Sequence, residues 1–565
     1  MAEQRTLGAD ELKRRDRVHQ RWGALKTERS SWDAHWKEIS EYLLPRAGRF
    51  FVQDRNKGTR HRSIYDSTGT KALDVLAAGM MAGMTSPARP WFRLTTGDAE
   101  LDESAAVKTW LADVQRVMLM VFAKSNTYRG LHSIYEELGA FGTAASVVMP
   151  DFSDVIRHYP LTCGEYAVAT DHRGVVSTLY REFDMTVEQL VGQFGLDRVS
   201  IHARNLYDRG TRDAWITVIH AIEPRLERDS TMRDARNMPF RSCYLELGGD
   251  KVTFLSEGGF KRFPAVAPRW TVRGGDIYGE APSMRALGDI KQLQHQQLRK
   301  AQAIDYMTKP PLQMPMSMAN RERDTLPGGV TFVDMANPSG GIKTAFDVRL
   351  DLSHLLADIG DVRGRINSAF HADLFLMLAS QPIQGRMTAT EVAERHEEKL
   401  LMLGPVLERL HNELLSPLID MTFERVVEAG IVPPAPEELQ GMELNVEFVS
   451  MLAQAQRAVA TNGIDRLLGT VGAIAQMKPD VLDKIDQDRV VDAYADMLGV
   501  DPELIVPGER VALIRQARAE QAMQQQQIAE QQAAAATAKD LASAKTDQPS
   551  ALTNVIDMFS GYTTP

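Results

Sequence analysis

The stretch SMRALGDIKQLQHQQLRKAQAIDYMT, Ser283 to Thr308, decides how this chain is read. Its period is helical: Leu287, Ile290, Leu293, Gln297, Ala301 and Ile304 fall on one stripe. The remaining faces carry Asp289, Lys291, Gln292, Gln294, His295, Gln296, Arg299, Lys300 and Gln302. At ~1.5 Å per residue the helix spans about 40 Å. So narrow an apolar stripe is too little for a core helix, and a polar helix of this length needs lateral partners. Lys309-Pro310-Pro311 ends it, because the residue before a proline is pushed out of the helical region.

A second helical stretch of matching length covers about 350–378, with Leu352, Leu355, Leu356, Ile359 and Val362 giving way to Arg363, Arg365 and His371. Between the two lies 309–349, punctuated by Pro315, Pro327-Gly328-Gly329 and Pro338-Ser339-Gly340-Gly341. Two helices that travel out and back around a module at their tip suit a ring subunit better than a compact monomer. A polar loop follows at 379–387, and Thr388-Ala389-Thr390-Glu391 then forms a capping box for a helix to about Ala429. Kinks are expected in that helix near Pro405 and Pro417. A strand is expected at 443–449, with helices at about 450–476 and 489–498.

The last helix, about 509–545, is built of Ala and Gln and nearly lacks large apolar residues after Met523. It either packs beside copies of itself or frays; residues 547–565 read as a disordered tail. Upstream, helices are expected at 9–44, 67–84, 104–124 and 128–146, with Trp32 and Trp36 one turn apart on one face. Residues 154–266 alternate and break like β-structure. Strands at Tyr166–Thr170 and Val175–Phe183 flank a turn, and Thr186-Val187-Glu188-Gln189 is a second capping box. A hairpin is expected from Ser242–Leu247 and Lys251–Ser256 around Gly248-Gly249-Asp250. The fold class is therefore mainly α with a smaller α+β region.

At 565 residues the chain exceeds one ordinary core. Apolar and charged shares of 44% and 25% are those of globular protein. The N-terminus shows no secretory signal, and no apolar run reaches membrane-spanning length, so no membrane partner is expected. Two lone cysteines, Cys163 and Cys243, argue for a reducing compartment. A net charge of −10 argues against a tight DNA clamp, but not against a pore through which DNA slides without sticking.

Signatures of catalysis and metal binding fail one by one. His396-Glu397-Glu398-Lys399-Leu400 lacks the second histidine of a zincin helix. Ser67-Thr68-Gly69-Thr70-Lys71 lacks the glycine pattern of a phosphate-binding loop, and no dinucleotide fingerprint follows a strand. No enzyme activity, metal or cofactor is expected. Asp358 and Asp361 with Arg363 and Arg365 read as a solvated charged face. Ala379 to Met387 reads either as an ordinary helix–helix turn or as a loop presenting Gln381, Gln384 and Arg386 to a passing polyanion.

Taken in order, these segments resemble the portal, or head-to-tail connector, proteins of short-tailed bacteriophages. LGDIKQLQHQQLRKAQAIDYMTKPPLQMP is similar to that family's first stem helix running into its clip. RMTATEVAERHEEKLLMLGPVLERLHNELLSPLI resembles the kinked helix after its channel loop, and SMLAQAQRAV the start of its crown. LKTERSSWDAHWKEISEYLLP and STGTKALDVLAAGMMAGMTSPARPWFRL resemble its opening.

The resemblance implies a subunit with a wing (1–282 and 388–430), stem helices (283–308 and 350–378), a clip (309–349), a channel loop (379–387), a crown (431–508) and a C-terminal barrel-like helix (509–546). It implies a dodecameric homo-oligomeric ring at one capsid vertex of the virion, assembled in the host cytoplasm. Double-stranded DNA would pass through that ring with weak contact during packaging and ejection. The implied partners are the terminase large subunit, the major capsid protein and tail adaptor proteins. Gln381, Gln384 and Arg386 would then be channel-loop residues, and Lys309, Lys343, Arg363 and Arg365 candidates for the channel lining. Two readings of other classes stand beside it: a hydrolase whose site is assembled from scattered residues, and a scaffolding or adaptor protein without a pore.

Overall fold

The computed structural model describes residues 2–50, 63–98, 101–248 (without 103 and 233), 254–309, 311–313, 343–344, 353–379, 403–439, 445–448, 467–475, 478, 485–491, 506 and 508–543. The chain divides into two units, Met1–Ala460 and Thr461–Pro565.

In the first unit α1 (Ala2–Tyr42), α2 (Thr68–Met84), β1 (Phe92–Thr95), α3 (Ala105–Lys124) and α4 (Thr127–Phe141) come first. Strands β2 (Ala145–Asp151), β3 (Val155–Leu161), β4 (Tyr166–Thr170) and β5 (Val176–Thr186), helices α5 (Val187–Phe194) and α6 (Ile201–Asp208), and strands β6 (Trp215–Pro224), β7 (Phe240–Glu246), β8 (Ser256–Phe260) and β9 (Ala265–Val266) form the α+β region. Then come α7 (Pro282–Thr308), β10 (Leu312–Gln313), β11 (Lys343–Thr344), α8 (Ser353–Ala369), α9 (Ala372–Ala379), α10 (Ser416–Glu428) and β12 (Asn445–Phe448). The second unit carries α11 (Gly508–Ser543).

Strands β4 to β8 form an antiparallel meander, and β3-β2-β9 a separate three-stranded sheet. The expected capping box is present: the Thr186 hydroxyl accepts from the Gln189 N–H, and the Gln189 side chain accepts from the Thr186 N–H. Helix α1 serves two cores. Val18, Trp22 and Leu25 pack with Tyr180, Ile219 and Cys243 of the meander, whereas Trp36, Ile39 and Leu43 enter the main helical core. The Trp36 indole N–H donates to the Phe141 carbonyl at 3.0 Å. Cys163 and Cys243 are both buried free thiols.

Four expectations are corrected. The helix expected to reach 146 stops at Phe141, where Gly142 turns left-handed at φ +74° and β2 begins three residues on. A Cβ at Gly142 would lie 2.1 Å from the Gly279 carbonyl oxygen, so backbone approach as well as φ requires glycine there. The β-region accordingly opens at Ala145, upstream of the expected 154. The hairpin expected at 242–256 is wider, because Phe240 pairs with Phe260 and Tyr244 with Ser256.

The return helix is broken. α8 ends at Ala369, His371 sits at φ +55°, and α9 starts at Ala372. The His371 carbonyl accepts from the N–H groups of Leu374 and Phe375, which restarts the helix while Phe370 and Phe375 both stay in the core. The kink foreseen near Pro417 is a π-turn over His411–Leu415, with the Ser416 N–H reaching back to the His411 carbonyl. Proline provides no N–H and crowds the preceding turn, and one widened turn relieves both effects.

Candidate functional site

The helix pair α7/α8 is the feature on which the sequence reading turned. Pro282 opens α7 at a position where its missing N–H costs nothing. The buried Ser283 hydroxyl donates to the Ala140 carbonyl, which fixes the base of α7 to α4. Leu287, Ile290 and Leu293 of α7 and Ile359, Val362 and Ile366 of α8 are buried in the same core. Polar rungs join the two helices: Arg365 Nε lies 3.2 Å from Asp289 Oδ1, and the Gln296 amide donates to Asp358.

Asp66, just before α2, ties the pair to the rest of the unit. Its Oδ1 accepts from the Thr68 N–H at 2.8 Å and hydroxyl at 2.5 Å. Its Oδ2 accepts from Arg363 Nη2 at 2.7 Å and from the Gln297 amide at 2.9 Å. Buried Gln294 completes the hub: its Oε1 accepts from the N–H groups of Tyr65 and Asp66, and its amide donates to the Asp66 carbonyl. Burial works against ionisation of Asp66, but the hydrogen bonds from Thr68 and Arg363 and the Arg363 charge outweigh it, so the carboxyl is held below its ordinary range.

The sign of the pH effect follows. The contribution is present above the ordinary aspartate pKa and is lost as pH falls through the lower folded value. Asp66→Asn leaves the buried end of this hub short of an acceptor, and a loss of about 1–3 kcal/mol is expected. Urea denaturation at pH 7 measures it; the difference from the unsubstituted chain should shrink at the acid end.

Beyond Gln297 the stripe changes character. Ala301, Ile304, Tyr306 and Met307 are exposed, as is Leu356 on α8. Among the described residues the first half of the apolar stripe is thus buried and the second half is exposed. Strands β10 and β11 pair antiparallel, Leu312 with Thr344 and Gln313 with Lys343, across the ends of the insert.

Of the residues singled out in the sequence, Lys309 caps α7 as an exposed residue whose N–H reaches the Asp305 carbonyl at 2.7 Å. Lys343 is placed by its backbone in β11. Arg363 is paired with Asp66, and Arg365 with Asp289 and, at 3.1 Å, with Asp361. Both guanidinium groups are half-exposed with their charge compensated. Gln381, Gln384 and Arg386 lie outside the described residues, as do His396 and the Thr388–Glu391 capping box.

Sequence reasoning missed Asp66, Gln294 and Gln297 as a unit. The one available signal was an Asp-Ser-Thr run at a helix start, which favours local capping. Among the described residues no group of three or more His, Cys, Asp or Glu side chains could hold a metal ion. No helix of the described residues is long and apolar enough to cross a membrane.

The family model described as bacteriophage head to tail connecting protein matches residues 15–506. A protein of Bordetella phage BPP-1 named "Probable portal protein" is 65% identical over 544 residues, covering 96% of this chain and 98% of its own. The "Portal protein" of Salmonella phage epsilon15 is 46% identical over the same length, with the same coverage. A chain from the neck of an empty gene transfer agent particle, a structure computed with C6 symmetry, covers 82% of this chain and 98% of its own at 11% identity, with a TM-score of 0.37. With a family match over most of its length and two full-length relatives, this chain belongs to the bacteriophage head to tail connecting protein family.

Proposed function

We propose that the chain is a phage portal subunit. It forms a ring at one capsid vertex, serves as the conduit for double-stranded DNA during packaging and ejection, and joins head to tail. The observation that carries this is the 65% identity to a portal protein along 96% of the chain. The work of such a subunit is positional and requires no catalytic step of its own.

In this reading the stem is 283–308 and 350–378, which take in α7 and then α8 with α9, 309–349 is the clip, 379–387 the channel loop, 1–282 with 388–430 the wing, 431–508 the crown, and 509–546 one stave of a C-terminal barrel. Three features support it. The outer half of α7 leaves apolar side chains bare on a single chain, and neighbouring subunits would cover them. The described side chains of α11 are exposed from Arg510 to Thr537's predecessor Ala536 apart from Val511, with Leu513, Met523 and Ile528 among them, as expected of a stave. Arg363 and Arg365 of the stem are paired with acids and the net charge is −10, which favours weak, screened contact with phosphates over tight binding. The ring is dodecameric, and it engages the major capsid protein, the terminase large subunit and tail adaptor proteins within the virion.

Native mass spectrometry and negative-stain imaging test the ring directly. Closed rings are expected, and a monomer or dimer that persists at high concentration rejects the reading. For the loop, Arg386→Ala should leave rings intact while changing DNA packaging or retention. Unchanged packaging and retention in assembled particles would remove Arg386 from that role.

A further inference from the structure

Among the described residues Val155 and His371 are the non-glycine residues at positive φ, and of these His371 stands between two helices. Helices commonly stop on a left-handed residue, and that residue is usually glycine because it has no Cβ to crowd the backbone. Here it is histidine, at φ +55°. The Phe370 N–H reaches the Ile366 carbonyl at 3.2 Å and the His371 N–H the Ser368 carbonyl at 3.1 Å, which closes α8. α9 restarts at once, with the Leu374 N–H on the His371 carbonyl at 3.1 Å. From Ile366 to Ala379 the sequence INSAFHADLFLMLA holds neither glycine nor proline, and its second half is rich in the good helix formers Ala, Leu and Met. A continuous helix through this point is therefore open to the backbone. It would remove the left-handed residue and give the first N–H groups of α9 acceptors in the turn before them, which a helix start lacks.

What holds the bend is packing. Phe370 continues the buried α8 stripe of Ile359, Val362 and Ile366. In one unbroken helix, at ~100° per residue, Phe375 would point roughly 140° away from Phe370 and leave the core. In the bent form it seats on α2 at Gly79, where any Cβ would fall on its ring, and Leu374 is buried in the same core. The bent form also leaves Asp373 exposed in the first turn of α9, where a carboxylate suits the helix dipole. Against this stands the cost of a left-handed histidine. A glycine at this position would relieve that cost and weaken a continuous helix, and so make the bend permanent. Histidine does neither. Backbone strain kept at a single residue between two helices is characteristic of hinges and switch regions.

We infer that His371 is a hinge with two settings. In the bent one Phe375 is seated on α2; in the straight one α8 and α9 form a single helix and Phe375 has left its seat at Gly79. α9 is eight residues long, so straightening swings a lever of about 12 Å. Its far end is Ala379, where the proposed channel loop begins. That bearing on the loop rests on the portal reading above; the hinge itself does not.

The hinge is tested in the full chain by the distance between spin labels introduced with Ala357→Cys and Leu376→Cys, both exposed positions, since the native cysteines are buried. A straight helix places these two backbone positions about 28 Å apart, and any bend shortens the distance. Labelled chains are diluted with unlabelled ones, so that only distances within one chain are read. With no further substitution the shorter distance should be the main population. Gly79→Ala, which blocks the seat, and Phe375→Ala, which vacates it, should each raise the population near 28 Å at least fivefold. Adding His371→Gly to either should lower it again at least threefold. A short distance that persists unchanged in both Gly79→Ala and Phe375→Ala means that the break is permanent, and overturns the inference. A broad distribution without a peak near 28 Å means that α9 melts instead of straightening, and overturns it as well. The distances are read whether or not the chain assembles, so a failure to form rings rejects the portal reading and leaves the hinge to be decided by them.

Discussion

Replacing Glu413 with alanine is expected to destabilise the first unit by about 3–5 kcal/mol, the usual cost of stranding one partner of a buried ion pair. Arg269 is 3% exposed, and among the described residues the carboxylate paired with its guanidinium is that of Glu413. Nη2 lies 2.6 Å from Glu413 Oε1, and Nε lies 3.2 Å from Oε2, which also accepts the Arg269 backbone N–H at 2.9 Å. The remaining donors reach the carbonyls of Gly174 and Ile277. Glu413 itself lies in the π-turn before Pro417, so the pair joins the widened turn to the segment that leads from β9 into α7. The double substitution Arg269→Met with Glu413→Leu should recover most of the loss, because it removes the buried guanidinium along with the carboxylate, and the second cation paired with Glu413, Arg409 at 3.4 Å, is about a third exposed and can turn to water. Urea denaturation of Arg269→Met, Glu413→Leu and the double variant completes the cycle. A single-variant loss below about 1 kcal/mol would mean that water replaces the carboxylate and that the pair is not sealed.

Phe375→Ala is expected to cost about 3–5 kcal/mol, the range for truncating a buried phenylalanine. The ring is 5% exposed and rests on α2 at Gly79. A Cβ at Gly79 would lie 2.2 Å from Phe375 Cγ and 2.6 Å from its Cβ, atoms near the backbone that cannot swing aside. Gly79→Ala should therefore destabilise, even though alanine gains about 1 kcal/mol of helix propensity over glycine. Combining it with Phe375→Ala should cost less than the sum of the two, since the second change removes the ring atoms that the first meets at 2.2 Å and leaves only the contact with the residue-375 Cβ at 2.6 Å. Thermal unfolding of the four chains measures the coupling, and strict additivity would show that the two residues do not share a site. The consequence for function is positional: α9 leads directly into the proposed channel loop, and its docking on α2 sets where that loop begins.

Much of the architecture was legible in local patterns. The 3.6-residue period marked α7, and the Thr186–Gln189 pair marked the start of α5. Each of these signals lies within a few residues of what it predicts, because helix periodicity and capping are short-range physics. The break at His371 was not legible. Nothing nearby forbids helix there, and the left-handed turn is accepted because it allows both Phe370 and Phe375 to be buried.

The candidate site divides the same way. The sequence alone determined that Arg363 and Arg365 share a helix with Asp358 and Asp361, and the i,i+4 pair between Arg365 and Asp361 follows from that spacing. That Arg363 would meet Asp66, and Arg365 also Asp289, was decided by the tertiary structure, as was the pairing of Phe92 in β1 with Phe448 in β12. By itself the sequence therefore determined where most helices of the described residues begin, the cap that starts α5, that the charge is acidic, and the order of segments that led to the family. Only the tertiary structure decided which charges are compensated, where the return helix bends, and how far along α7 the apolar stripe is covered. The reason is that helix period and capping are set by neighbours in the chain, whereas ion pairs, strand partners and burial depend on which distant residues the packed core brings within a few ångströms.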